Sequence, residues 1–366
     1  MKNEVIIGAH MRSPMGLQKM LFGAAVLFLL VCSSSAQTTG NAALSTAAAP
    51  PAASATAPAP AAQTAAIDTR PADAKAADPK DADQEAVATI KTQVREVNVI
   101  FTVTDKHGRF KKDLRKEDLQ ILDDGKAPEQ IRDFRSETDL PLRVGLLVDA
   151  SNSIRDRFKF EQEAATEFLN SIVRPKQDLA FVIGFDSTPE VTQDFTSDTE
   201  KLSNGIRMLR PGGGTAMFDA IYYACRDKLM KQKDRSTVRR AIILVSDGDD
   251  NQSHSTLSEA IEMAQRAEVI IYTISTSTSN TEDRGDKVLK KLAENTGGRA
   301  FSPFKIQDVT DAFREIQDEL RSQYAVAYKP ADFRADGHFR PIQITAENNK
   351  KLFVRARRGY YAPLQQ

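Results

Sequence analysis

Residues 142–153 read LRVGLLVDASNS. One charge, Arg143, sits near the start of the run; Asp149 ends it, and Ser151 and Ser153 follow at alternate positions. A short, continuous apolar run is the pattern of a strand covered on both faces of a sheet. Asp149 is then expected at the carboxyl end of a central strand, with two hydroxyls on the loop that leaves it.

The same pattern recurs on the C-terminal side. LAFVIGF (179–185), AIILVSD (241–247) and VIIYTIS (269–275) are further buried-strand runs. Helical stretches separate them. Phe160, Ala164, Phe168 and Ile172 recur every fourth residue, and segments near 198–209, 216–231, 257–267 and 284–295 read as helices. Gly297-Gly298 stands where a helix stop belongs. Ile306, Val309, Phe313, Ile316 and Leu320 stripe a last helix. Strands alternating with helices imply an α/β fold over residues 141–322: a doubly wound, mostly parallel sheet with helices on both faces. Such sheets bind ligands outside the carboxyl ends of their strands, where strand order reverses.

Three segments bring oxygen donors to that edge. DASNS supplies Asp149, Ser151 and Ser153, and LVSDGDD supplies Asp247, with Gly248 allowing a sharp exit. PGGGTAMFDA (211–220) supplies Thr215 at a helix start. Without His or Cys among them, zinc and copper are disfavoured. Two carboxylates and three hydroxyls suit a small hard dication, Mg²⁺ first and Ca²⁺ or Mn²⁺ next. Two negative charges only balance the ion, and an open coordination position would attract a carboxylate from outside. The arrangement implies a metal-bridged binding site for a protein partner that presents an acidic residue.

DASNS, GGGTAMFDA and LVSDGDD, in that order, resemble the von Willebrand factor type A (VWA) domain and its metal ion-dependent adhesion site (MIDAS). The resemblance covers about 180 residues in the middle of the chain. It implies hydroxyl ligation of the ion by Ser151, Ser153 and Thr215, with Asp149 and Asp247 acting directly or through water. Asp219 matches a recurrent helix position that is not a ligand. The flanking segments, including RARRGYYAP (355–363), resemble secreted bacterial proteins carrying this domain.

Those flanks are strand-like. Val97, Val99, Phe101 and Val103 alternate, LQILDDGK (119–126) reads as a strand and turn, and YAVAYKP, FRPIQITA and LFVRARRGYY alternate beyond residue 323. Segments 89–140 and 323–366 are too short to form comfortable domains alone. They are expected to pair into one small antiparallel β unit that the α/β domain interrupts.

The N-terminus reads as an export signal. Lys2, His10, Arg12 and Lys19 precede the apolar run LFGAAVLFLLV of about 11 residues, and SSSAQ follows. That run is short of the roughly 20 residues that span a bilayer. Residues 1–36 are expected to be a signal peptide cleaved after Ala36, leaving no integral membrane span. Lipidation at Cys32 and retention as an anchor are the alternatives. Residues 37–88, rich in Ala and Pro, lack the apolar side chains to offset ordering entropy and read as a disordered linker. The expected location is the periplasm, the cell envelope or the extracellular space. Cys225, the cysteine left after cleavage, reads as a small buried apolar residue.

Other residues carry plainer expectations. Asp249 and Asp250 read as solvated loop charges, Asp186 as a strand-ending turn residue, and His107, His254 and His338 as surface residues. Arg355 and Arg357 share a face expected to be solvated. With a formal net charge of zero and 27 % charged residues, nothing points to nucleic acid as a partner. An enzyme is not expected. The chain lacks a G-x-x-x-x-G-K-[ST] phosphate loop, a G-x-S-x-G elbow and H-E-x-x-H. The rival readings are an envelope-assembly component with a fold-locking metal and, further off, a Mg²⁺-dependent phosphoester hydrolase.

Overall fold

The computed structural model describes residues 96–364, apart from 138–139, 156, 233–237, 278, 280, 304 and 347–350. The expected signal peptide (1–36) and linker (37–88) lie outside the described residues. Among the described residues no helix is long and apolar enough to cross a membrane.

The described residues open with three strands, β1 (Val97–Thr104), β2 (Leu119–Asp123) and β3 (Gln130–Glu137). The α/β portion then runs β4 (Leu142–Asp149), α1 (Phe158–Ile172), β5 (Leu179–Phe185), β6 (Pro189–Thr196), α2 (Thr199–Met208), α3 (Met217–Tyr223), β7 (Arg239–Ser246), α4 (Leu257–Arg266), β8 (Ile270–Ser275), α5 (Arg284–Thr296), β9 (Ala300–Phe301) and α6 (Ile306–Leu320). Strands β10 (Gln323–Lys329), β11 (Phe339–Ala346), β12 (Phe353–Ala356) and β13 (Gly359–Tyr361) complete it.

The α/β portion is built on a six-stranded sheet in the order β6-β5-β4-β7-β8-β9. Every neighbouring pair is parallel except β5–β6. Alternation along β4 divides the core. Leu142, Val144, Leu146 and Val148 pack with α1, α2 and α6 on one face. Leu147 joins Phe181, Ile242 and Leu244 against α3, α4 and α5 on the other. Each fully buried side chain of this kind contributes roughly 1.5–3 kcal/mol. Gly145 belongs to the same packing, because a Cβ there would stand 2.4 Å from Cζ of Phe181. A π-helical turn, Ala224–Leu229, takes over from α3 where the sequence implied one continuous helix. It presents Ala224, Cys225 and Leu229 to the core, and burial pushes the Cys225 thiol well up from its ordinary value.

The two flanks pair with each other. β1 lies between β10 and β12, and β10 also pairs with β3, all antiparallel. β11 pairs with β2 and β13 in a second antiparallel sheet. The β unit is therefore two small sheets, with Val97, Val99, Phe101, Val103, Ile121, Tyr324 and Ile344 in their shared core.

Besides the two-residue β9, two strands escaped the sequence pattern, β3 and β6. Both are edge strands with few large apolar residues, so no clean period of two marks them. The expected solvated face at Arg355 and Arg357 is a correction. Arg355 pairs with Glu319, whose side chain is 1 % exposed, and Arg357 donates to the carbonyls of Asn98 (2.7 Å) and Gln265 (3.4 Å). These arginines face the α/β portion rather than water and join it to the β unit. Tyr272 on β8 strengthens the junction: its Oη donates to Glu319 (3.0 Å) and accepts from Gln323 (3.0 Å).

Candidate metal centre

Strand order reverses between β4 and β7. From β4 the chain passes through α1 to β5 on one side, and it returns through α3 to β7 on the other. A crevice opens at the carboxyl ends of such a pair. Asp149 ends β4, and Asp247 follows β7 directly.

Asp149 is fully buried. Its Oδ1 accepts from the Ser151 amide (2.8 Å) and its Oδ2 from the Ser246 hydroxyl (2.6 Å). Ser246 Oγ accepts in turn from the Gly248 amide (3.0 Å). Gly248 has φ +84°, and a Cβ there would fall 2.4 Å from the Gly285 carbonyl oxygen. Only glycine fits this exit, which turns the chain immediately after Asp247. The hydroxyls of Ser151 and Ser153 are 2.9 Å apart, and Ser153 donates to Oδ2 of Asp247 (2.6 Å). The structure thus joins Asp149, Ser151, Ser153 and Asp247 into one hydrogen-bonded cluster.

Thr215 arrives on the glycine-rich loop between the other two segments. The Gly212 amide donates to the Ala150 carbonyl (2.6 Å), laying this loop against the one after β4. The Thr215 amide donates to Oδ1 of Asn251 (3.0 Å), and its carbonyl accepts from the amides of Asn251 and Gln252, each at 3.0 Å. The buried Thr215 is therefore clamped to the loop after β7.

The electrostatics suit a cation. Burial pushes the Asp149 carboxyl up to about 6; the Asp247 charge adds to this, and hydrogen bonds from Ser246 and Ser151 oppose it. A dication would offset both the desolvation and the repulsion. Among the described residues no cluster of three or more His, Cys, Asp or Glu side chains could hold a metal. Any ion here would depend on hydroxyl oxygens as much as on the two carboxylates, an all-oxygen donor set that fits a divalent cation.

The acidic neighbours have other work. Asp219 accepts from the amides of His254 (2.9 Å) and Ser255 (2.8 Å). Burial works against its charge, but these hydrogen bonds outweigh it and hold the carboxyl at about 2. Asp250 is a correction. Instead of a free loop charge, it accepts from the Phe218 amide (2.9 Å) and the Ser253 hydroxyl (2.6 Å), fixing the start of α3. Asp249 is exposed, as are His107, His254 and His338. Asp186 takes the Thr188 amide (3.2 Å) in a turn. Sequence reasoning missed Ser246 and Asn251. A lone hydroxyl closing the apolar run AIILVS was the available signal for Ser246; Asn251 left none.

Residues 144–319 match the family model of the von Willebrand factor type A domain, and the α/β portion has a VWA-like fold. Calcium-activated chloride channel regulator 1 of Bos taurus is 32 % identical over 186 residues, a match covering 49 % of this chain and 19 % of that protein. The chain thus spans about a fifth of the length of this curated relative. Among solved structures, BatB from Bacteroides thetaiotaomicron has a TM-score of 0.40 at 18 % identity, covering 50 % of this chain and 100 % of that one. Proximal thread matrix protein 1 from the mussel byssus, with a zinc-occupied MIDAS motif, has a TM-score of 0.45 at 16 % identity, covering 54 % and 50 %. The VWA domain is a module typically involved in adhesion and protein interaction.

Proposed function

We propose that this chain is an exported, non-enzymatic binding protein whose VWA domain captures a protein partner through a bound dication. Asp149, Ser151, Ser153, Thr215 and Asp247 would hold the ion, Mg²⁺ before Ca²⁺ or Mn²⁺. The ion would supply a Lewis-acidic position for a carboxylate of the partner. The chain's own residues prepare the site: Ser246 and the Ser151 amide orient Asp149, and the Gly248 turn delivers Asp247.

The observation that carries this reading is the hydrogen-bonded run Ser151–Ser153–Asp247 beside a buried Asp149, assembled from segments 94 residues apart. Hydroxyls and carboxylates drawn so close, with the Asp149 charge disfavoured by burial, form a set that a dication would stabilise. The proposed export agrees with the basic and apolar N-terminal pattern.

Calorimetric titration of Mg²⁺ into the chain tests it. One saturable site is expected, and Asp149→Ala should lose at least roughly a hundredfold in affinity while keeping its circular dichroism. Saturating Mg²⁺ at about 100 times Kd should stabilise the wild type by about 2.7 kcal/mol. Immobilised polyglutamate should retain the loaded protein and release it in chelator. Retention that survives both chelator and Asp149→Ala would place binding on another surface.

A further inference from the structure

Among the described residues, both carboxylate oxygens of Glu161, Nη2 of Arg157 and Oγ1 of Thr276 are buried polar atoms with no hydrogen-bond partner. Glu161 lies in the first turn of α1 and is 2 % exposed. Native proteins pair nearly all such groups, and a buried carboxylate without a donor is costly.

Among the described residues, the ion-pair partner of Glu161 is Arg157, which is committed elsewhere. Arg157 Nε lies 3.9 Å from Oε1, beyond hydrogen-bonding distance. Its Nη1 donates to the carbonyls of Thr276 (3.0 Å) and Ser277 (3.3 Å). The Thr276 amide donates to the Ser246 carbonyl (3.1 Å), and the Ser246 hydroxyl holds Asp149. A continuous line of contacts therefore runs from Glu161 through Arg157, Thr276 and Ser246 to the base of the candidate metal centre. The charges facing Glu161 are Arg157 on its own helix end, Asp149 at the end of β4 and Asp247 after β7. Burial is the main force pushing its carboxyl up, to about 8; Arg157 opposes it, and Asp149 and Asp247 add to it.

We propose that Glu161 is a positioning residue of the metal centre, a third carboxylate that raises the site's affinity for a dication without touching the ion. The proposal rests on the cation-site reading above. Charges inside a protein interact far more strongly than in water, so Glu161, only partly compensated by Arg157, deepens the negative potential of the cluster when it is ionised. The dication in turn stabilises the ionised form of Glu161. Binding then drives the Glu161 proton into solvent, a coupling between metal uptake and proton release.

The test is calorimetric titration of Mg²⁺ into the wild type, Glu161→Gln and Asp149→Ala. It is run at about pH 8, above the range in which Asp149 titrates, in two buffers of different ionisation heat. The wild type should bind Mg²⁺ and release protons. Glu161→Gln should bind roughly fivefold to tenfold more weakly, without that release. Its metal-free form should melt higher than the wild type. Glu161→Gln with wild-type affinity and unchanged proton release overturns the proposal and leaves the cation site standing. A wild type that binds no Mg²⁺, or an Asp149→Ala protein that binds as well as the wild type, overturns both. Should Glu161→Gln fail to fold, wild-type proton release still decides: its presence at this pH supports the proposal and its absence overturns it.

Discussion

Asp123 in the β unit and Asp149 in the α/β portion are both buried carboxylates at the end of a strand, and they are satisfied in opposite ways. Asp123 accepts from the hydroxyls of Tyr328 (2.8 Å) and Tyr360 (3.0 Å) and from Nε of Arg340 (2.8 Å). A guanidinium neutralises it, and Arg340 also reaches Asp332 (3.3 Å). Asp149 receives one hydroxyl and one amide, and the charges of Asp247 and Glu161 that act on it are both repulsive. The first arrangement is complete within the protein and locks two sheets together. The second is electrostatically open, as a site for a cation from outside should be.

Substitution should separate the two most sharply. Asp123→Ala leaves a guanidinium buried with its main partner gone, which should cost about 3–5 kcal/mol in urea unfolding. Its Mg²⁺ affinity should stay at the wild-type value. Asp149→Ala should do the reverse, leaving metal-free stability unchanged or raised. If Asp149→Ala proves the more destabilising in chelator, the contrast fails.

A pH series sharpens it next. The carboxyls of Asp149 and Glu161 stand at about 6 and about 8 in the folded protein, against 3.8 and 4.5 as ordinary values. The folded chain thus holds protons that the unfolded chain has already lost. In chelator, stability should be greatest at the acid end of this window and fall as pH rises from about 5 to about 8, by up to about 1.4 kcal/mol per pH unit per group. Mg²⁺ should oppose the fall, and Glu161→Gln should flatten its upper half. Stability constant across this range would show that neither carboxyl is raised.

The smallest effect belongs to Asp219, which ties α3 to the loop after β7. Asp219→Asn should cost about 1–2 kcal/mol near neutral pH. Its folded carboxyl lies at about 2, below the ordinary 3.8, so the wild-type advantage is present above about 4 and disappears as pH falls through about 2. Thermal melts at neutral and acid pH would show whether the difference closes.

Much of this was legible in the chain. The buried strands β4, β5, β7 and β8 announced themselves as apolar runs between helical stripes, and β1 as a strict alternation. Asp149, Ser151, Ser153, Thr215 and Asp247 stood out because oxygen donors ended those runs or followed a glycine-rich loop. Edge strands β3 and β6 were hidden, since a strand paired on one side needs no long apolar pattern. Glu161 left a fainter trace. It occupies the inner stripe of α1 with Phe158, Ala164, Ala165, Phe168 and Ile172, where a charge is out of place.

The sequence alone determined the order of the buried strands and the helices, the two faces of the central sheet and the strand ends that carry oxygen donors, because hydrophobic period and strand length are local properties. Tertiary structure decided the partners. It gave Arg355 and Arg357 to the junction rather than to water, Asp250 to the start of α3, and Glu161 to the neighbourhood of Asp149 and Asp247. Burial and pairing depend on which distant segments meet, and a charge has no fixed cost until those neighbours are in place.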